Sequence, residues 1–330
     1  MTSASAAPSR NLALELVRVT EAAALSAAPF MGRNDKIAAD QAAVDGMRLM
    51  LNSINMTATV VIGEGEKDEA PMLFNGEVLG AGDGPEMDLA VDPIDGTRPL
   101  AQGRPNSIAI VAAAPRGTMY DPGPFVYMNK IAVGPGAAGV INIERPIAEN
   151  LSAIAKALDK RPTDVTVVIL ERPRHEDMVK EIRAAGARIR FIDDGDVAGA
   201  LMSAWPNSGI DVLLGIGGTP EGVITACAMR AMGGEIQGKL YARNDDELNK
   251  GREMGYDFDK VLTMHDLVSS DNVFFAGTGI TDGELMDGVR YIANGATTES
   301  IVVRGETGTV RRIKATHRFP KLETISSVKY

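Results

Sequence analysis

From residue 165 onward the chain repeats one pattern. Strand-like runs at 165–170, 188–192 and 212–216, the first of them continuously apolar, alternate with helical periodicity at 176–185, 197–204 and 221–232. Strand and helix alternating at this spacing specify a parallel or mixed sheet covered by helices. Such sheets bind ligands beyond the carboxyl ends of their strands. All three runs end in polar or glycine-rich loops: Glu171-Arg172-Pro173-Arg174-His175, Asp193-Asp194-Gly195-Asp196 and Gly217-Gly218-Thr219-Pro220-Glu221. Arg172 and Arg174 around a proline make a stiff fork suited to a phosphate, or else a surface salt-bridge pair.

The first 150 residues read differently. Apolar residues spaced by three and four predict helices at 11–28 and 40–51. Short apolar strands are expected at 59–62, 88–91, 107–113 and 130–133, so this part reads as helices on a meandering sheet. A helix at 151–158 opens the alternating region, and a hairpin is expected late, from 298–303 and 309–313 around Gly305-Glu306-Thr307-Gly308. Gly277-Thr278-Gly279 and Thr281-Asp282-Gly283 read as a turn-rich loop. The expected fold class is α/β, with a disordered tail at 1–10, an α+β N-terminal half at 11–150 and an α/β C-terminal half at 151–330.

Charge narrows the function. Asp and Glu number 44 against 34 Lys and Arg, a formal net charge of -10. Such a chain has no electrostatic footprint for nucleic acid or an anionic membrane, and no apolar run is long enough to span a bilayer. An anionic substrate would need bound cations, or local Arg and Lys, to reverse the field. The single cysteine, Cys227, lies in a small apolar helical run and reads as packing; with no disulfide possible within the chain, a cytoplasmic home is expected. No secretory signal opens the sequence. His175, His265 and His317 lack metal-ligand spacing and read as structural or surface residues.

The acidic residues that stand out are Asp40, those of the loop from Glu64 to Glu69, Asp92 with Asp95, and Glu221. Hard cations such as Mg²⁺ and Mn²⁺ take oxygen ligands, and gathered carboxylates repel one another unless a cation sits between them. Glu64 and Asp92 each follow an apolar strand, so both are held on rigid ends. In Asp92-Pro93-Ile94-Asp95-Gly96-Thr97 the proline fixes the chain between two carboxylates. Thr97 can begin a helix, and a helix N-terminus after glycine seats a phosphate. Glu221 either joins the metal ligands or complements the dipole of its helix. The segment therefore points to metal-dependent phosphate chemistry.

These residues also carry a resemblance. Asp92-Pro93-Ile94-Asp95-Gly96-Thr97, preceded by Gly63-Glu64-Gly65-Glu66, resembles the lithium-sensitive, metal-dependent phosphatase superfamily of inositol monophosphatases and fructose-1,6-bisphosphatases. The longer strings from Val61 to Met72, Arg172 to His175, Asp194 to Ala198 and Gly215 to Gly222 are similar to bacterial class II fructose-1,6-bisphosphatase, over nearly the whole chain from Asn11 to Leu322. The resemblance implies a layered αβαβα sandwich and hydrolysis of D-fructose 1,6-bisphosphate to D-fructose 6-phosphate in gluconeogenesis, with Mg²⁺ or Mn²⁺ as cofactor. It implies metal ligation by Asp40, Glu64, Asp92, Asp95 and Glu221, and catalysis by Thr97 with Asp68. It implies substrate contacts by Asp95, Gly96, Thr97, Tyr127, Arg172, Pro173, Arg174, Asp194, Gly195, Asp196 and Gly218. It also implies a homotetramer or homodimer. Asn34 departs from the family, which usually has glycine there. The alternatives are an inositol or nucleotide phosphatase of the same superfamily, and a catalytically silent sugar-phosphate-binding protein.

Overall fold

The computed structural model describes residues 12–63 and 73–324. The tail expected at 1–10, and Glu64 and Asp68 of the acidic loop, lie outside the described residues. One sheet collects β1 (Thr57–Ile62), β2 (Val78–Leu79), β3 (Glu86–Asp95), β4 (Ile108–Pro115), β10 (Phe274–Gly279), β11 (Arg290–Ile292), β12 (Gly295–Arg304) and β13 (Thr309–Arg318). Its order is β11-β12-β10-β4-β3-β1-β2, with β13 also paired to β12. The other sheet holds β5 (Tyr127–Val133), β6 (Thr166–Leu170), β7 (Arg188–Ile192), β8 (Val212–Gly218) and β9 (Glu235–Leu240), in the order β7-β6-β8-β5-β9.

Strand alternation sorts the apolar residues into layers. In β4, Ala109, Val111 and Ala113 join one core, while Ile110, Ala112 and Ala114 join another. The first core packs the sheet against α1 (Leu12–Ala27) and α2 (Lys36–Leu51). The second lies between the sheets and contains α6 (Asp196–Ala204) and α7 (Thr219–Met232). A third buries Val167 and Ile169 of β6 against α4 (Ile147–Ala157) and α5 (Glu176–Ala184). Helix, sheet, helix, sheet, helix is the expected αβαβα sandwich.

The expected division at residue 150 does not follow the sheets. Tyr127–Val133 is a central strand of the second sheet, and Phe274–Arg304 returns to the first, beside β4. Sequential rhythm alone cannot register such a long-range return. The glycines at 277 and 279 are likewise not a loop: they lie inside the fully buried β10. A side chain at 277 would press on Ile110 and Phe275, so glycine there serves close packing rather than a turn.

Strands β6, β7 and β8 are parallel, and the order β7-β6-β8 means the chain steps to one side of β6 and then crosses to the other. The carboxyl ends of β6 and β8 therefore meet at a switch point, where a crevice opens. Strand β3 carries a bulge: Asp92 pairs with Ile110 but Asp95 with Ile108. The aspartate motif is thus a strand with one extra residue rather than a turn at Pro93, because β4 continues to pair on both sides of it.

A buried acid on α1 gives the fold a pH dependence. Glu21 faces Thr298 and lies 3.9 Å from His317, and the charge of Arg18 pulls its carboxyl down. Burial lifts its carboxyl from the usual 4.5 to about 7, while burial pushes His317 down. The folded state binds the Glu21 proton more tightly than the unfolded chain. Its contribution is therefore complete below pH 4.5 and lost as pH rises to about 7. Glu21→Gln is expected to stabilise the protein by about 3 kcal/mol at pH 8 and hardly at all below pH 4.5. Thermal melts of both proteins across that range check it; a gain independent of pH would refute the assignment.

Candidate active site

A cavity of about 450 Å³ opens at the switch point. It is lined from the end of β3 by Asp95, from the helix that follows by Arg98, from the end of β6 by Arg172 and Arg174, from the β7–α6 loop by Asp194, Gly195 and Asp196, and from the β8–α7 junction by Gly217, Gly218 and Glu221. Tyr127 at the start of β5 completes the wall.

Carboxylates dominate its floor. Asp95 is 5% exposed, and its Oδ2 has no hydrogen-bond partner among the described residues. Asp196 Oδ1 and Glu221 Oε2 are equally buried and unpartnered. Burial, then the charges of Asp196, Glu221 and Asp194, raise the Asp95 carboxyl well above the usual range, with Lys130 pulling the other way. Glu221 is raised by burial and then by Asp196. Glycines make the crowding possible. Gly195 takes a φ of 78°, and a Cβ there would stand 3.3 Å from Asp95 Oδ1; a Cβ on Gly218 would overlap the Glu221 carboxylate.

The cationic wall is held by other means. Arg174 donates from Nε and Nη2 to the Ile216 carbonyl at 3.0 and 2.8 Å, and its guanidinium lies 5.1 Å over the Tyr127 ring. Arg172 pairs with Asp194 at 3.2 Å. Between these loops His175 is 1% exposed. Its Nε2 accepts from the Ile216 amide at 2.8 Å, which leaves the proton on Nδ1 to donate to the Leu170 carbonyl at 2.7 Å. Burial lowers its pKa, in keeping with the structural role expected of it. Cys227, buried in α7 with a thiol pushed up to about 12, is packing as expected.

Not every expected residue lines this cavity. Gly96, with φ 94°, precedes the short helix α3 (Thr97–Gln102). The Thr97 hydroxyl is within hydrogen-bonding reach of Asp40 Oδ1 at 3.3 Å and the Ile94 carbonyl at 3.2 Å. Thr97 and Asp40 thus form a pair that is not among the residues lining the cavity. Asp92 accepts from the Ile94 amide at 3.0 Å. Pro173 faces a neighbouring depression with Glu171 and Arg172. Two residues escaped the sequence reading: Arg98, directly after Thr97, and Lys130, a lone charge inside an apolar strand. That misfit in β5 was the available signal.

No group of three His, Cys, Asp or Glu among the described residues is arranged by itself to hold a metal ion. The donor chemistry nevertheless fits a hard cation, because buried carboxylate oxygens lack partners and crowd one another. Glu64, expected as a further ligand, and Asp68, expected to act with Thr97, lie outside the described residues.

A layered α/β sandwich with carboxylates and guanidiniums in one crevice between its sheets defines a class of phosphatase. The family model described as bacterial fructose-1,6-bisphosphatase, glpX-encoded, matches residues 10–317. The chain is 46% identical over 321 residues to fructose-1,6-bisphosphatase 1 class 2 of Escherichia coli K12, covering 93% of this chain and 95% of that one. It is 46% identical, with the same coverage, to fructose-1,6-bisphosphatase class 2 of Shigella flexneri. An extragenic suppressor from Pyrococcus furiosus aligns over 58% of this chain and 69% of its own at 14% identity, with a TM-score of 0.29. The chain belongs to the bacterial class II fructose-1,6-bisphosphatase family.

Proposed function

We infer that this protein is a metal-dependent phosphatase that hydrolyses the 1-phosphate of D-fructose 1,6-bisphosphate, releasing D-fructose 6-phosphate and phosphate. One observation carries the reading: a single cavity joins the unpartnered carboxylate oxygens of Asp95, Asp196 and Glu221 to the guanidiniums of Arg172 and Arg174. A monophosphate has no need of both. A divalent cation, Mg²⁺ or Mn²⁺, held by Asp95 and Glu221 with Asp40, Asp92 and Glu64 contributing, would neutralise phosphate charge and lower the pKa of water.

The chain's own residues supply the rest. Arg172 and Arg174 bind the distal phosphate, and Asp194 and Asp196 accept hydrogen bonds from sugar hydroxyls. Gly96 leaves the backbone open to the scissile phosphate. The Thr97 hydroxyl, in reach of Asp40, orients the attacking water and holds its proton, a role the family resemblance shares with Asp68. Phosphate release should be saturable with fructose 1,6-bisphosphate in Mg²⁺ or Mn²⁺ and abolished by excess chelator. It should be weaker with inositol monophosphate or a nucleoside monophosphate. Undiminished release in chelator, or preference for either alternative substrate, would overturn the reading.

A further inference from the structure

Lys130 is the largest fully buried side chain of the described residues, 1% exposed in the middle of β5. A lysine is almost never so deeply buried without a partner. Its ammonium stands 2.8 Å from Asp196 Oδ2 and donates to the Gly218 carbonyl at 2.9 Å. One side chain on β5 thus ties together the start of α6, which carries Asp196, and the residue before α7, which carries Glu221. The junction has been given room: a Cβ on Gly217 would overlap Asp196 Oδ2 and lie 2.9 Å from Lys130 Cε. With Oδ2 tied to the ammonium, Asp196 keeps Oδ1 buried at the cavity wall and without a partner.

We propose that Lys130 is a positioning residue for sugar recognition, holding the Asp196 carboxylate in the one orientation that offers Oδ1 to a substrate hydroxyl. The proposal rests on the reading above and adds to it a residue that need not touch substrate. In sugar recognition it acts through Asp196, so its effect on sugar affinity should vanish once Asp196 can no longer serve. A purely structural lysine would instead weaken every variant alike.

The test is a double-mutant cycle on the full-length protein, read as affinity for fructose 6-phosphate by calorimetry and as KM for fructose 1,6-bisphosphate. Lys130→Met should weaken both by about tenfold or more, the scale of a lost charge-assisted hydrogen bond. In an Asp196→Asn background the same change should cost less than about twofold, because the two substitutions remove one interaction. The double variant also removes both buried charges together, so it remains folded where Lys130→Met alone does not. In that case the double variant and Asp196→Asn are compared directly, and equal affinities support the proposal. Additive losses, or an unchanged affinity in folded Lys130→Met, overturn the role of Lys130 while the functional reading stands. A parent protein that neither binds nor hydrolyses these sugar phosphates removes that reading, and the proposal with it.

Discussion

Thr97→Ala is expected to lower kcat for fructose 1,6-bisphosphate by about 10²- to 10³-fold, with KM changed by no more than about threefold. The hydroxyl stands at the start of α3, in reach of a helix-borne carboxylate and a strand carbonyl. Three elements thus fix one small group two residues after Asp95, which lines the cavity. Losing it removes an interaction needed in the transition state but not for ground-state binding, which is why kcat should carry the effect. Thr97→Ser, which keeps the oxygen, should recover most of the activity. Steady-state phosphate release distinguishes these outcomes. An alanine variant turning over within tenfold of the parent would exclude Thr97 from the chemistry.

Arg174→Ala should act on the other kinetic constant, raising KM by about 10- to 100-fold while kcat falls little. Its guanidinium is held by two hydrogen bonds to the Ile216 carbonyl and by the Tyr127 ring, so it meets a phosphate already oriented. Arg174→Lys should rescue poorly, since an ammonium offers a point charge in place of a planar fork. Comparing the bisphosphate with a simple monophosphate ester sharpens the test. The ester has no distal phosphate to lose, so its KM should hardly move. Equal changes for both substrates would assign Arg174 to general electrostatics instead.

Much of this was legible in the sequence because it is local. The three runs ending at 170, 192 and 216 lie on parallel strands, and the loops after them form the crevice. The rule about carboxyl ends points to the loops that hold Arg172, Arg174, Asp194, Asp196 and Glu221, while the roles of Asp194 and Asp196 rest on the family resemblance. Pairing between distant segments was not legible. Nothing in residues 274–304 announces that β10 inserts beside β4, or that Tyr127–Val133 crosses into the second sheet. Lys130 was missed for the same reason: its partners lie 66 and 88 positions further along the chain. Thr97 was found from its neighbours, but its contact with Asp40 depends on how α2 lies against β3.

The bulge in β3 has a consequence for parity. Two residues three apart on a regular strand project to opposite faces, so Asp92 and Asp95 would be divided between two different cores. The extra residue converts that odd interval into an even one. Asp92 lies opposite Ile110 and Asp95 opposite Ile108, and both isoleucines belong to the layer between the sheets. Pro93, with no N–H to offer the ladder, keeps the surplus residue from being drawn back into register. The length of the motif is therefore as much a requirement as its carboxylates: no substitution at either aspartate could do what one residue of spacing does.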